Sequence, residues 1–245
     1  MVAVMALSAC TTHYAVSQVT RTRLLVDKSY DKPMSAEVAS FMDPYMTKVG
    51  ELMSSVLGRT PFPLTVERPE SPLGNLLPDV LVWSGKFYGE KPDFGIYNLG
   101  GIRASLAQGD ITIGDVYSVA PFENKVCFLT LSGEKVLELM SQIASRGGEG
   151  VSREVRMVIT ANRQLRHATI GGREIDPTAS YRVATVDYVS QGNNGMVAFK
   201  SSTDVRIIPS DDALTRELMM KYIKERTAAG QLVESAVEGR IIVEE

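Results

Sequence analysis

The feature that most constrains the fold is a cluster of short apolar strand candidates, separated by turns and interrupted by one amphipathic helix. The strand candidates are residues 125–131, 155–160, 165–170 and 181–186. Ser132 follows the first of them and begins a helix whose apolar residues recur at helical spacing. Strands that cluster without strict alternation with helices are typical of layered α+β architectures rather than doubly wound parallel sheets. We therefore predict an α+β domain.

Helical periodicity also occurs on both sides of this cluster. Residues 35–57 carry one apolar face and contain Pro44, which kinks or divides a helix, and Gly58 follows as a helix stop. Ser71 and Pro72 form a typical helix start. The remaining predicted elements are a helix at residues 211–230 and strands at residues 23–27, 94–97 and 237–243.

The N-terminus resembles a bacterial lipoprotein signal. Small residues precede Cys10 and polar residues follow it, although residues 1–6 contain no Lys or Arg and the apolar stretch is shorter than usual. We expect residues 1–20 to be a truncated lipoprotein signal and tail, Cys10 to be the lipidated residue, and residues 21–245 to form one domain. The protein would then be exported to the periplasm or cell surface. The alternative is an ordinary N-terminal tail.

Charge and hydropathy exclude two classes of partner. The 245 residues carry a net charge of −3, with both signs interspersed, whereas nucleic-acid binders usually present a basic face. No segment approaches the roughly 20 apolar residues that a membrane-spanning helix needs. We expect no nucleic-acid partner, and membrane contact only through the lipid anchor.

The residue types that perform hydrolysis are scarce. The chain has only two histidines, His13 and His167, so a dinuclear metal site or a histidine-activated nucleophile is difficult to assemble. Cys127 lies in the alternating run at residues 125–131, where a thiol is most simply a packed strand side chain. We therefore predict no catalytic residue, metal ligand or cofactor site in this chain.

The segment at residues 97–103 (YNLGGIR) directly follows the predicted strand at 94–97 and has the composition of a ligand-binding turn. Gly100 and Gly101 permit positive φ and a close approach of backbone to ligand, and Arg103 offers a planar fork of donors for phosphate or carboxylate. A plain turn with a solvated arginine needs the same residues, so this segment alone leaves both interpretations open.

Two further segments each place an aromatic ring beside amide side chains. Phe122 and Asn124 precede the strand at 125–131, and Tyr188 and Asn194 follow the strand at 181–186. Two aromatic rings on loops can sandwich a planar base, and amides can hydrogen-bond to it. Each ring taken singly is also compatible with simple packing.

Taken in order, these segments resemble the C-terminal domain of bacterial and animal 5'-nucleotidases. This group includes UDP-sugar hydrolases, 2',3'-cyclic phosphodiesterases and ecto-5'-nucleotidases. The resemblance rests on residues 98–103, 121–124, 188–195 and 238–241, together with residues 68–76, and extends over residues 35–245. It implies a layered mixed-sheet domain of the 5'-nucleotidase C-terminal type, which binds nucleotide substrates.

The resemblance also implies roles for individual residues. Phe122 and Tyr188 match the two aromatics that stack on the nucleobase, and Asn98 and Asn124 match amides that contact it. Gly100 and Gly101 accompany Asn98 in the same turn.

The phosphate and ribose side of the site is implied in the same way. Arg103 matches an arginine directed at ribose and phosphate, and Arg68 is our choice for a second phosphate-side arginine. Asn194 stands where the family usually has an aspartate that grips the ribose hydroxyls, so hydrogen bonding is retained and the charge is lost.

Family enzymes carry their dinuclear metal centre on a separate N-terminal metallophosphatase domain, which nothing in this sequence matches. The sequence therefore predicts the nucleotide-recognising half of a 5'-nucleotidase, with divalent metals on a separately encoded metallophosphatase partner. One alternative is a non-catalytic surface protein that binds nucleosides or nucleotides. Another is a structural lipoprotein that has kept the fold and lost the site.

Overall fold

The computed structural model describes residues 14–25, 27–28 and 35–244. The chain divides into two compact units, one ending at Tyr45 and the other beginning at Met46. Residues 14–25 have no regular secondary structure, so the strand predicted at 23–27 is wrong over the residues described there. Cys10, on which the lipoprotein prediction rests, lies outside the described residues. His13, one of the two histidines, also lies outside them.

Helices and strands follow one another along the chain without a strict alternation. In chain order they are α1 (Ala36–Met53), β1 (Val56–Thr60), α2 (Pro72–Tyr88), β2 (Phe94–Tyr97), β3 (Gly109–Thr112), α3 (Ile113–Val119), β4 (Val126–Ser132), α4 (Gly133–Ser145), β5 (Gly150–Val151), β6 (Val155–Thr160), β7 (Leu165–Ile170), β8 (Arg173–Glu174), β9 (Ser180–Val186), α5 (Asp187–Ser190), β10 (Thr203–Ile207), α6 (Thr215–Ala228) and β11 (Ile241–Glu244).

The strands form two larger mixed sheets and one antiparallel pair. The central sheet has the order β10-β4-β9-β2-β5, in which β2 and β9 are parallel and the other neighbours are antiparallel. A second sheet has the order β11-β6-β7-β8, with β11 parallel to β6. The helix α2 packs against β2, β5 and β9 of the central sheet and against α6. This arrangement confirms the predicted layered, mixed-sheet α+β class.

The first predicted helix ends earlier than its periodicity indicated. The helix α1 continues through Pro44 but stops at Met53, and the next residues form β1, which pairs with β3. Gly58 therefore lies inside a strand, and its prediction as a helix stop was wrong. A Cβ atom on Gly58 would lie 2.5 Å from the Thr227 hydroxyl oxygen and 2.7 Å from Ile223 on α6. The glycine is needed because β1 and α6 approach closely.

The other predicted helices are confirmed with shifted ends. The helix α2 begins at Pro72, although the Ser71 side chain forms no capping hydrogen bond. The Ser132 side chain accepts a hydrogen bond from the Lys135 amide and caps α4. The last helix is preceded by a 3₁₀ turn at Asp211–Ala213 and begins at Thr215. No described helix is both long and apolar enough to span a bilayer.

Glu90, in the loop between α2 and β2, forms ion pairs with two strands of the central sheet, β9 and β10. Arg182 on β9 donates two hydrogen bonds of 2.8 Å to its carboxylate, and Arg206 on β10 donates a third of 3.0 Å. The hydrogen bonds from Arg182, helped by Arg206, hold the pKa of Glu90 below its usual 4.5 in spite of its burial. The ionised carboxylate therefore favours the folded state.

This lowered pKa predicts a pH-dependent contribution to stability. In the unfolded chain Glu90 takes up its proton near its usual pKa, whereas in the folded protein it does so only at lower pH. The stabilisation is complete at neutral pH and is lost as pH falls through the lowered pKa. We expect the difference in unfolding free energy between the wild type and Glu90→Gln, measured with urea, to shrink on acidification from neutral pH to pH ~3. A difference that stays constant over this range would contradict the argument.

Candidate functional site

Three loops meet at one edge of the central sheet because of the strand directions. The strands β2 and β9 are parallel, so the segments that follow Tyr97 and Val186 leave the sheet at the same edge. The strand β4 is antiparallel to β9, with Val126 paired to Val186, so the segment that precedes Val126 arrives at that edge too. The sheet thus brings together three segments that are far apart in sequence.

The loops enclose a pocket of about 240 Å³. It is lined by Asn98, Gly100, Gly101, Phe122, Asn124, Tyr188 and Asn194. Seven of the nine binding residues predicted from the sequence therefore lie around one cavity. Among the described residues, the lining combines two aromatic rings with three amides and no charged side chain, which suits a flat, uncharged group with hydrogen-bonding edges.

Both aromatic side chains remain accessible from this pocket. Phe122 is 47% exposed and Tyr188 is 41% exposed, so neither ring belongs to the hydrophobic core. Half-exposed rings that line a common cavity can each offer a face to a ligand.

Asn98 contributes a buried, unsatisfied acceptor to the pocket. The residue is only 3% exposed, and its Oδ1 atom has no hydrogen-bond partner among the described residues. A buried acceptor without a partner costs about 1–3 kcal/mol, so a donor supplied by a ligand would recover this energy. Asn98 also starts the 3₁₀ turn Leu99–Gly101 without capping it through its side chain.

The two glycines of this turn are explained by the space that their missing side chains leave free, and their backbone conformation is ordinary. Neither Gly100 nor Gly101 has a positive φ, so the turn does not use the conformational freedom that glycine permits. A Cβ atom on Gly101 would lie 3.1 Å from Asn98 Oδ1, which leaves little room for a side chain. Gly100 has only loose neighbours at its Cβ position, at 3.7 Å or more, and opens on to the pocket.

The segment with Phe122 and Asn124 is held by the start of α6. The Asn124 carbonyl accepts hydrogen bonds from the Thr215 amide at 2.9 Å and from its hydroxyl at 3.2 Å. The Phe122 carbonyl accepts one at 3.3 Å from Arg216, whose guanidinium also stacks on the Tyr117 ring. Neither Thr215 nor Arg216 was predicted from the sequence, because nothing in the local pattern of α6 indicates contact with a loop about 90 residues earlier.

The segment after β9 consists of α5, which carries Tyr188, and a turn that carries Asn194. The Tyr188 hydroxyl lies 3.5 Å from Asn194 Oδ1, and the Tyr188 carbonyl accepts a 2.7 Å hydrogen bond from the Asn193 side chain. Asn194 has a φ of 55°, a left-handed conformation that asparagine tolerates better than most residues. These contacts turn the Asn194 side chain towards Tyr188 at the pocket.

The two predicted arginines do not line the pocket. Arg103 is exposed, and its Nη1 atom lies 3.4 Å from the Gly100 carbonyl oxygen, so it sits beside the binding turn. Arg68 donates to the Gly148 carbonyl at 2.9 Å and to the Glu149 carboxylate at 2.6 Å. Its guanidinium is therefore already engaged by protein groups.

Other polar features of the described chain are less suited to ligand chemistry. A larger depression of about 380 Å³ lies between α2 and α6, but three of its charged residues are engaged in ion pairs, Arg153 with Asp79 and Glu225 with Lys86. His167 on β7 pairs with Glu174 on β8. Within the described ranges no group of three or more His, Cys, Asp or Glu side chains could hold a metal ion.

Cys127 is confirmed as a buried strand residue of β4. Its burial raises the pKa of the thiol to about 11. At neutral pH the sulfur therefore stays protonated, which removes its value as a nucleophile.

Comparison with known proteins gives the class to which this fold and site belong. The family model "5'-nucleotidase, C-terminal domain" matches residues 48–201. The chain belongs to this family, as its sequence motifs predicted.

Individual relatives agree with this assignment. The chain is 28% identical over 190 residues to the cell wall protein Lmo0130 of Listeria monocytogenes, covering 71% of this chain and 24% of the relative. It is 31% identical over 109 residues to a 5'-nucleotidase of Vibrio cholerae, covering 43% of this chain and 20% of the relative. The crystal structure of a 5'-nucleotidase precursor from Thermus thermophilus is similar with a TM-score of 0.71 and 28% identity, over 86% of this chain and 44% of that one. The chain thus spans less than half the length of each.

Proposed function

We propose that this chain binds nucleosides or nucleotides in the pocket at the sheet edge and is the nucleotide-recognising part of a 5'-nucleotidase-type phosphoesterase. The observation that carries the proposal is the Asn98 Oδ1 atom, which has no partner in the part of the chain that the structure describes and lies in a cavity flanked by two accessible aromatic rings. A nucleobase supplies what this cavity lacks, namely a flat ring for the two faces and an N–H donor for the buried oxygen. Family membership supports the same ligand class.

The proposal gives each pocket residue a role. Phe122 and Tyr188 stack on the base, and Asn98 and Asn124 bind its polar edge. Gly100 and Gly101 keep the floor of the pocket open.

Sugar and phosphate groups are proposed to extend beyond the uncharged pocket. Asn194 binds ribose hydroxyls, and Arg103 reaches the phosphate, because its guanidinium is exposed beside the binding turn. Arg68 is the weaker choice for a phosphate contact, since its guanidinium already forms an ion pair with Glu149.

Hydrolysis is proposed to need a separately encoded metallophosphatase that carries the divalent metals. The described residues do not fit a dinuclear metal centre, because they include no cluster of metal ligands. This chain would then hold the base and direct the phosphate towards the metals of its partner.

The direct test mixes the purified chain with a purified candidate metallophosphatase and measures phosphate release from AMP with a divalent metal. We expect the mixture to hydrolyse AMP faster than the metallophosphatase alone, and Phe122→Ala to remove the gain. Equal rates with and without this chain would contradict the split-enzyme proposal.

A second candidate is a non-catalytic protein that captures nucleosides or nucleotides at the cell surface. It is favoured by the same pocket combined with the lack of metal-ligand clusters in the described ranges. Adenosine binding in calorimetry, without any gain in hydrolysis on mixing, would select this candidate. An intact fold with no adenosine binding would instead select a structural protein.

Export and lipid anchoring at Cys10 are also proposed, supported by the similarity to a cell wall protein and by the sequence around Cys10. Expression in a bacterial host with a labelled fatty acid tests the anchor. We expect label on the wild type and none on Cys10→Ser; an unlabelled wild type would contradict it.

The variant Gly100→Ala tests the pocket with little effect on the fold. Its Cβ atom would lie 3.7 Å from Asn194 and 3.9 Å from Asn98, which are ordinary contacts, and would enter the space assigned to the ligand. We expect an unchanged melting temperature and adenosine binding weaker by about 1 kcal/mol or more in calorimetry. Unchanged affinity would place the ligand elsewhere.

A further inference from the structure

Glu149 is a fully buried carboxylate close to the binding turn. It lies between two glycines just before β5, and its side chain is 0% exposed. A buried charge is costly unless it is paired and hydrogen-bonded, so a residue of this kind needs a structural reason.

Its two oxygens are shared between two arginines and one backbone amide. Oε1 accepts from Arg68 Nη2 at 2.6 Å and from Arg146 Nε at 2.5 Å. Oε2 accepts from the backbone N–H of Leu99 at 2.6 Å. The arginines compensate the charge on one side, and the other oxygen is aimed at the turn that lines the pocket.

The Leu99 amide belongs to the peptide group that joins it to Asn98. The carbonyl oxygen of the same peptide group accepts a 2.9 Å hydrogen bond from the Gly101 amide. Both polar atoms of this peptide are therefore held, which fixes the backbone from which the Asn98 side chain projects. The Asn98 side chain forms no cap bond of its own, and its Oδ1 atom has no partner among the residues described.

We infer that Glu149, clamped by Arg68 and Arg146, is a positioning residue that orients Asn98 towards the ligand. The identity of that ligand rests on the proposed function, whereas the hydrogen bond from the Leu99 amide to Glu149 can be tested without ligand. Arg68 acts in this arrangement through Glu149 rather than on the phosphate.

The first measurement is amide hydrogen exchange at Leu99 in the ligand-free protein, comparing the wild type with Glu149→Gln. Glutamine keeps the size of the side chain but cannot satisfy two arginines and the amide together. We expect exchange at Leu99 to accelerate about tenfold. Glu174→Gln removes one exposed carboxylate from the other sheet and serves as control, with Leu99 exchange unchanged. Equal exchange at Leu99 in wild type and Glu149→Gln would overturn the inference.

The second measurement is a double-mutant cycle on adenosine binding. We expect Glu149→Gln to raise Kd about tenfold in the wild-type background and no more than about twofold in an Asn98→Ala background, because the effect passes through Asn98. A general loss of structure would weaken binding equally in both backgrounds and would overturn the positioning role. If the wild type fails to bind adenosine, the proposed function fails. Hydrogen exchange at Leu99 then still shows whether Glu149 holds the binding turn.

Arg68→Met separates positioning from phosphate contact and serves if Glu149→Gln does not fold. We expect it to weaken adenosine and AMP binding by the same factor, because adenosine has no phosphate. Weaker binding of AMP alone would show that Arg68 contacts the phosphate and would overturn its assignment to the clamp.

Discussion

Replacing both Phe122 and Tyr188 by alanine is expected to lower adenosine affinity by about 2–4 kcal/mol, or about 30- to 1,000-fold in Kd. Both rings line the pocket, and stacking of a base on an aromatic ring is worth about 1–3 kcal/mol. Because both rings are about half exposed, their removal leaves the hydrophobic core intact. Calorimetric titration with adenosine measures the loss, and thermal unfolding checks the fold.

Two control variants make this result specific. Phe62→Ala removes a similarly exposed aromatic that does not line the pocket, and we expect unchanged affinity. Tyr188→Phe keeps the ring and loses only the contact of its hydroxyl with Asn194, so the loss should stay below about 1 kcal/mol. Wild-type affinity in the double-alanine protein would contradict the stacking role.

Arg240→Met is expected to destabilise the protein by about 3–5 kcal/mol. Arg240 is 1% exposed and donates two hydrogen bonds of 2.8 Å to Asp79 on α2. It also donates to the Val151 carbonyl at 2.9 Å, which joins α2, β5 and the segment before β11. Methionine would leave a mostly buried carboxylate and a buried carbonyl without these donors. Urea unfolding followed by circular dichroism measures the loss.

Arg153 offers a matched comparison because it pairs with the same carboxylate. Its Nη2 atom lies 3.1 Å from Asp79 Oδ2, but its side chain is 65% exposed. Exposed ion pairs contribute about 0–1 kcal/mol, so Arg153→Met should cost little. Equal losses in the two variants would show that burial of Arg240 does not determine its contribution.

The sequence predicted the elements that carry apolar periodicity. The strands β4, β6, β7 and β9 and the helices α2, α4 and α6 were all expected, because a buried face leaves a regular pattern in the sequence. The strand β10 was missed: its apolar residues, Val205 and Ile207, are only two, and all five of its residues are exposed, so no buried face marks it in the sequence. The strands β5 and β8 have two residues each and are too short to show a period.

The pocket residues were predicted individually, but their meeting point was not derivable from local pattern. It depends on the sheet order β4-β9-β2, which is a property of long-range pairing. Glu149 escaped prediction because its partner Leu99 lies 50 positions away. A charged residue set between Gly148 and Gly150 was the signal that could have drawn attention to it.

Nucleoside binding at the sheet edge is decided by a crystal structure of the chain grown with adenosine. We expect the purine between the rings of Phe122 and Tyr188, with a donor of the base within hydrogen-bonding distance of Asn98 Oδ1. A purine bound at any other place, or a pocket that stays empty at saturating adenosine, would contradict it.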